Sequence, residues 1–335
     1  MSEAIARPLT AWTVVSYLAA RGLLTPEESV WSPPRATIRS GRSMVFRVRG
    51  RSSRWIVKQA LDAVTRRDQR REVAMYRHLA SAGTGHGLAS RLVWVDPVRA
   101  VLVLEDFPLH RALSELPLKA IPLEVWAALG MRLAELHRHP PPPFGTEPHW
   151  ILSLGRPGPT LLRFAGSGQL ELLIRIQEST ACRQGLATLR MHQRSQGVIH
   201  GDLRLDNVLL RLSPGAPDLR LVDWELGGLG APDADVGWLV GDLLTRSIEA
   251  TDAVASVVDA TSSVWRGYAK SAMPARCSIR DVVRWAAARI LLEAYERLEF
   301  SSRLDSVPTQ LLECAEGAMA HPRRFARELF GNSVP

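Results

Sequence analysis

Two short runs, VIHGDLRLDNVLL (Val198–Leu210) and LRLVDWE (Leu219–Glu225), hold three residues whose types suit one kind of chemistry. Phosphoryl transfer asks a protein for little covalent chemistry. It needs a carboxylate at the accepting hydroxyl, oxygen ligands for Mg²⁺, and cations on the phosphates of ATP. Asp202, Asn207 and Asp223 can supply the first two needs. Asp202 and Asn207 lie five residues apart on one tight loop and can face a shared point. Asp223 ends a strand whose hairpin partner starts directly after Asn207.

The run HGDLRLDN, with VDWE sixteen residues after its Asn, resembles the catalytic loop and metal motif of the aminoglycoside phosphotransferase and choline kinase-like families, relatives of protein kinases. These families have HGD where most protein kinases have HRD, and DW or DF before an acidic residue where kinases have DFG. By position, Asp202 resembles the catalytic base, and Asn207 and Asp223 resemble the Mg²⁺ ligands. His200 resembles a structural residue of the loop. Upstream, Lys58 in WIVKQ resembles the lysine that holds the α- and β-phosphates, and Glu72 its ion-pair partner. VLVLEDF resembles the hinge that binds adenine through backbone groups of about Glu105 to Phe107. LAELH is typical of the helix before the loop, and Asp235 in DADVG resembles the buried aspartate that supports it. The resemblance covers roughly residues 30 to 300 and implies ATP and Mg as cofactors.

The elements that must position these residues read as an α+β, bilobal, protein-kinase-like fold. Residues 1–105 form the expected small lobe, an antiparallel sheet with one main helix after an amphipathic N-terminal segment (Leu9 to Leu24). Ala36 to Arg39, Met44 to Arg49 and Trp55 to Gln59 alternate as a meander, joined by SGRS and GRSS. A helix from about Asp68 to Ala80 places Glu72, Met75, Tyr76 and Leu79 on one face. Leu92 to Val95 and Val101 to Leu104 are two further strands around Asp96-Pro97.

Residues 106–335 form the expected larger, mostly helical lobe, with the catalytic loop at 198–211 and the metal motif at 222–225. The helix Leu123 to His137 ends at four prolines, which cannot continue it. About 140–190 reads as a substrate-region insertion, irregular from Phe144 to Gly168 and helical from Leu170 to Arg190. Val208 to Arg211 and Leu219 to Val222 are strands, and Asp281 to Leu298 is the clearest late helix.

The glycine loop departs from the family pattern. RSGRS offers one glycine, Gly41, whose neighbours Ser40 and Ser43 could cover the phosphates together with the loop amides. GTGHG (Gly83 to Gly87) follows a helix and precedes a strand, the wrong order for a dinucleotide turn, and reads as a connector. The segment DWELGGLGAPDAD holds no Ser, Thr or Tyr, so no activation-loop phosphorylation is expected.

The bulk composition sets outer limits. The 335 residues suffice for about two domains. Apolar residues at 46% and charged residues at 23% exclude a disordered chain. No stretch approaches the roughly 20 apolar residues of a membrane span, and the N-terminus lacks a signal-peptide core, so a cytoplasmic protein is expected. Three scattered cysteines support neither a disulfide framework nor a zinc cluster. Of the net +8, residues 1–100 carry 17 basic against 7 acidic side chains, leaving 25 against 27 for the rest. Arg66, Arg67, Arg70 and Arg71 crowd one helix start, a surface that could dock an acidic peptide or partner protein. Nucleic acid is disfavoured, because only Phe46 and Trp55 interleave with the basic residues.

The expected function is therefore transfer of the γ-phosphoryl group of ATP to a hydroxyl of a small molecule or of Ser/Thr in a natural-product precursor peptide. A pseudokinase or nucleotide-binding scaffold is the alternative, though a scaffold has no need of Lys58, Glu72, Asp202, Asn207 and Asp223 together. An aminoglycoside is the alternative acceptor, and it would ask for a more acidic pocket than the near-neutral helical part suggests.

Overall fold

The computed structural model describes residues 7–31, 34–40, 43–81, 87–192, 197–213, 215–249, 254–271 and 277–331. The chain divides into two compact units. The first comprises the residues up to Arg111 with Leu209–Arg211 and Asp218–Gly227; the second comprises Ala112–Val208, Leu212–Pro217 and the residues from Gly228 onward. The segment carrying Asp223 thus packs with the first unit.

In the first unit, α1 (Ala11–Ala19) starts at a reciprocal cap, in which Thr10 Oγ accepts the Thr13 amide and Thr13 Oγ accepts the Thr10 amide. α2 (Pro26–Trp31) follows. Strands β1 (Arg35–Ser40), β2 (Met44–Arg49), β3 (Arg54–Gln59), β4 (Leu92–Asp96) and β5 (Val101–Glu105) form one antiparallel sheet in the order β1-β2-β3-β5-β4. Val14, Tyr17 and Leu18 of α1 pack in one buried cluster with Phe46, Val48, Val57, Val101 and Val103 of the sheet. Side chains alternate across a strand, so Lys58, paired with Val45 and Leu102, turns to the opposite face from Val57. Gln59 turns back; its fully buried amide accepts from Leu9 N (2.7 Å) and donates to Arg99 O (3.2 Å), fastening the segment before α1 to the sheet.

Helix α3 (Ala63–Ser81) begins five residues before the expected Asp68. The Asp62 carboxylate accepts the Thr65 amide at 2.8 Å, the bond of an N-cap, and this adds a turn ahead of the apolar stripe. The face bearing Glu72, Met75, Tyr76 and Leu79 is buried as the spacing requires.

The second unit starts within β6 (Arg111–Ala112), at Ala112, and is mostly helical. Helix α4 (Leu123–His137) has the expected bounds. The 140–190 region is more ordered than its Pro and Gly content suggests, with a 3-10 helix (Trp150–Gly155), α5 (Pro159–Phe164), α6 (Ser167–Glu178) and α7 (Thr180–Met191). The single helix expected from Leu170 to Arg190 is two, because extended Ser179 breaks it and its Oγ caps α7 by accepting the Cys182 amide.

Two three-residue strands escape the sequence reading: β7 (Gly197–Ile199), just before the HGD run, pairs antiparallel with β10 (Gly228–Gly230). Between them the hairpin β8 (Val208–Arg211) and β9 (Asp218–Leu221) forms as expected. The unit is completed by α8 (Pro232–Glu249), α9 (Val254–Ser271), α10 (Ile279–Arg297), α11 (Ser306–Ala320) and α12 (Pro322–Phe330). α4 and α9 meet backbone to backbone at two glycines. A Cβ on Gly130 would lie 2.0 Å from Val264 O, and one on Gly267 2.0 Å from Ala127 O. Among the described residues no helix is long and apolar enough to cross a membrane.

Candidate active site

The first unit assembles Lys58, Glu72 and Asp223. Lys58 Nζ lies 2.6 Å from Glu72 Oε1 and 2.6 Å from Asp223 Oδ1. Gln69, on the Glu72 side of α3, donates to Lys58 O (3.2 Å) and locks helix to strand at this point. Asp223 itself sits in left-handed backbone (φ 70°). Such a conformation is uncommon outside glycine and persists where the surroundings hold it. Here the next residue, Trp224, is fully buried and its indole donates to Leu221 O at 3.0 Å.

One ammonium is shared by two carboxylates, Glu72 buried and Asp223 reaching solvent. Burial alone would lower the Lys58 pKa, but Asp223 and Glu72 hold it well above the usual value. Burial pushes Glu72 up to about 7, the charges of Asp223 and Glu225 add to this, and Lys58 opposes it. Tyr76, one turn beyond Glu72, is also buried, which together with the Glu72 charge lifts its hydroxyl well above the usual pKa.

Of the expected phosphate loop, Ser43 is half-buried and described; Gly41, the side chain of Ser40 and most of GTGHG lie outside the described residues. At the expected hinge, β5 ends on Glu105. Glu105 N donates to Arg91 O (3.0 Å) and Asp106 N to Arg54 O (3.1 Å). The buried Asp106 carboxylate receives Arg47 (2.8 Å) and Arg49 (3.3 Å), two residues apart on one strand face. Arg47 and Arg49 therefore have an acidic partner within the chain.

Phe107 is held by rings and charge. Arg220 lies over it at 5.1 Å and His110 is 5.2 Å away, while Asp218 binds Arg220, Arg211 and His110. Burial would raise the Asp218 pKa, but Arg220 keeps it low; burial lowers that of His110 against the pull of Asp218.

The second unit assembles the HGD loop. Asp235, in the first turn of α8 and fully buried, accepts the amides of His200 (2.7 Å) and Gly201 (2.8 Å) and contacts His137 Nε2 at 3.2 Å. Burial would raise its pKa, but the His137 bond and the charges of His137 and His200 keep it low. His137, the last residue of α4, has Tyr268 OH at 2.8 Å from its other nitrogen. Gly201 adopts φ 81°, which turns the chain into the loop. The His200 ring is buried and its Nδ1 is 3.4 Å from Asp202 N, a placement suited to support rather than to proton transfer.

Donors surround the Asp202 carboxylate. Trp238 Nε1 lies 3.0 Å and Arg204 Nε 3.4 Å from Oδ1, and Asn207 Nδ2 is 3.2 Å from Oδ2. Asn207 Nδ2 also donates to Asp202 O (2.8 Å), so its amide nitrogen is engaged with Asp202 and Oδ1 is the atom left to accept. Asp242 accepts the Leu205 amide (2.9 Å) and Arg289 Nη2 (3.0 Å), bracing the far side of the loop.

Sequence reasoning missed Trp238, Asp242, Arg204 and Tyr268. A signal for two of them existed: Asp235, Trp238 and Asp242 fall at helical steps on one face of α8. Among the described residues no group of three or more His, Cys, Asp or Glu could hold a metal alone. Asn207 Oδ1 in the second unit and the Asp223 carboxylate in the first are hard oxygen donors. Donors of this kind suit Mg²⁺, which takes one or two carboxylates and completes its shell with phosphate oxygens and water.

A small antiparallel sheet with a Lys–Glu pair, followed by a helical unit with an HGD loop, defines a kinase-like fold. The chain belongs to the phosphotransferase enzyme family, whose profile matches residues 35–272, and is thus a phosphotransferase. Among solved structures it is similar to a choline/ethanolamine kinase family protein from Mesorhizobium loti (TM-score 0.59, 19% identity, 95% of this chain and 98% of that one). An ethanolamine kinase from Plasmodium vivax superposes with TM-score 0.61 at 12% identity over 94% of this chain and 89% of that one. A spectinomycin phosphotransferase solved with ADP and spectinomycin gives 0.57 at 11% over 96% and 100%. No curated protein is a significant sequence match.

Proposed function

We propose that this phosphotransferase moves the γ-phosphoryl group of ATP to a hydroxyl of a small molecule, using Mg²⁺. The observation that carries the reading is the Asp202 carboxylate, fixed through both oxygens by Trp238, Arg204 and Asn207. A positioned carboxylate of this kind serves a hydroxyl that must lose a proton, and a nucleotide-binding scaffold has no use for one. In the proposed reaction Asp202 orients the acceptor hydroxyl and takes its proton. Lys58, kept charged, neutralises phosphate oxygens, and Glu72 holds Lys58 in place. Asn207 and Asp223 hold Mg²⁺, which supplies charge neutralisation at the phosphates. Glu105 and Phe107 offer backbone groups to the adenine, and Ser40, Gly41 and Ser43 cover the phosphates. His200 and Asp235 support the loop. With ATP as donor, the cytoplasm is the proposed place of work.

Among small acceptors an amine-bearing alcohol is favoured. Trp150, 44% exposed, stacks on His149 and meets Tyr295, and ring faces attract ammonium groups. Choline, ethanolamine and spectinomycin, for which the similar structures are named, are amino alcohols. A peptide acceptor docked through an acidic segment is a second reading. Arg67 and Arg70 are exposed on α3, with Arg66 and Arg71 half-buried on either side of them.

The test is an acceptor screen with Mg·ATP over amino alcohols, sugars, homoserine and Ser-containing acidic peptides, run with wild type and Asp202→Asn. Loss of about 10²-fold or more in turnover with unchanged ATP binding is expected for the variant; near-normal transfer refutes the reading. In parallel, calorimetry should find that Asp223→Ala loses Mg²⁺-dependent nucleotide binding. Unchanged, Mg²⁺-independent binding in that variant favours the scaffold.

A further inference from the structure

Helix α8 grips the HGD loop at three places with side chains from one face. Asp235 takes the backbone amides of His200 and Gly201 (2.7 and 2.8 Å), Asp242 takes the Leu205 amide (2.9 Å), and Trp238 reaches the Asp202 carboxylate (3.0 Å). The three bonds to backbone amides fix where the loop runs. Only the fourth, from Trp238, acts on the group assigned to chemistry.

We propose that Trp238 is a positioning residue for phosphoryl transfer: its indole N–H pins Oδ1 of Asp202 and so sets which lone pairs of the carboxylate face the acceptor hydroxyl. The proposal rests on the reading of Asp202 as the base. A carboxylate turns easily about its last torsion, over a broad range of angles, so a base without such a constraint would present the hydroxyl with changing geometry. The other two donors constrain it less. Arg204 Nε stands 3.4 Å away on a side chain about one third exposed, and Asn207 Nδ2, at 3.2 Å, divides itself between Oδ2 and the backbone oxygen.

Trp238 differs from both. It is 2% exposed, stands edge-on to Trp285 (6.0 Å between centroids) and has the His149 ring 4.6 Å away. Gly237 beside it admits this packing, since a Cβ there would lie 2.3 Å from Trp285 Cβ. An indole N–H only donates, so it can neither take the proton meant for Asp202 nor turn round as an amide can. Hydrogen bonds to an ionised group are also the strong ones. The competing reading is that Asp202 merely satisfies a buried tryptophan, as buried indoles usually find a partner. Under that reading Trp238 would matter for folding and leave the base indifferent.

A double-mutant cycle separates these. Trp238→Phe, which keeps an aromatic ring and removes the N–H, is made in the wild-type chain and in Asp202→Asn. Phosphate release from Mg·ATP with water as acceptor is measured at saturating ATP. The expected result is a loss of about tenfold in kcat in the wild-type background, with KM for ATP within about twofold, and almost no further loss in Asp202→Asn. An equal loss in both backgrounds overturns the proposal. Wild-type turnover in Asp202→Asn alone would instead sink the base reading, so the two failures are distinct. A second measurement needs no turnover: in ¹⁵N-tryptophan-labelled protein the Trp238 indole resonance, identified by its absence in Trp238→Phe, should move more than the other indoles on Asp202→Asn. An unmoved resonance also overturns the proposal.

Discussion

Replacing Glu72 by Gln tests whether one lysine held by two carboxylates is a device for nucleotide binding or an ordinary buried ion pair. Gln has the shape of Glu and keeps an oxygen for Lys58 Nζ, now 2.6 Å from Glu72 Oε1, but it never ionises. Glu72 releases its proton near pH 7 in the folded chain against about 4.5 for an ordinary glutamate. Between those values the folded state binds more protons than the unfolded one. The contribution of Glu72 to stability is therefore fully present below about pH 4.5 and lost as pH rises through about 7. Two and a half pH units correspond to ~3 kcal/mol.

Urea unfolding of both proteins at pH 5, 6, 7 and 8 should thus show the wild type losing up to about 2.5 kcal/mol relative to Glu72→Gln between pH 5 and pH 8. The function should move the other way. With Glu72 neutral, Lys58 is drawn wholly to Asp223, whose carboxylate is wanted by Mg²⁺, so KM for ATP should rise about tenfold at pH 8, a cost of ~1.4 kcal/mol. Parallel stability curves would show that Glu72 titrates normally. An unchanged KM beside divergent curves would leave a structural pair and refute the nucleotide role.

Two further outcomes follow from buried contacts. Glu28 accepts the amides of Ser52 and Ser53 and the Ser53 hydroxyl; burial would raise its pKa, but these bonds bring it down to about 2. Its stabilisation is present above about pH 4.5 and lost as pH falls through about 2. Glu28→Gln should therefore be less stable than wild type by up to about 2 kcal/mol at neutral pH, with the gap closing in acid denaturation. Gly267→Ala places a methyl 2.0 Å from Ala127 O and must force α4 from α9, so a loss of roughly 3 kcal/mol or of soluble protein is expected. A normal melting temperature would show the helices can part freely.

What the sequence disclosed depended on whether a residue's meaning lies in its neighbours along the chain. Asp202, Asn207 and Asp223 stand out because two carboxylates and an amide at this spacing resemble a catalytic loop and metal motif, and Lys58 stands out only as part of that same resemblance. Glu72 follows from the helical stripe. Residues whose meaning lies across the fold stayed silent. Gln59 is an ordinary strand residue until Leu9 and Arg99 close on it. Tyr268 reaches the loop only through His137 and Asp235, and its partner is 131 residues away. β7 and β10 are three residues long, below the length at which alternation carries a signal. The early start of α3 was legible in principle, since Asp62 precedes Thr65 at capping distance, but the run of arginines masks the apolar period there.

Charge shows the same limit. The surplus of basic residues in the first hundred positions suggests a surface waiting for an acidic partner, yet a composition cannot tell paired from unpaired charges. Asp106 takes Arg47 and Arg49 at the hinge, and Asp218 takes Arg211 and Arg220 beside Phe107. In the second unit Arg289 is 2% exposed between Asp242 and Glu293. Each acidic partner offsets part of this charge, so these arginines contribute less to long-range attraction than their number suggests. What can attract a partner is the smaller set that remains solvated, such as Arg67 and Arg70 on α3. Salt dependence of acceptor KM would therefore be expected for an acidic peptide and absent for a small amino alcohol, since only the former carries the negative charges that these arginines attract.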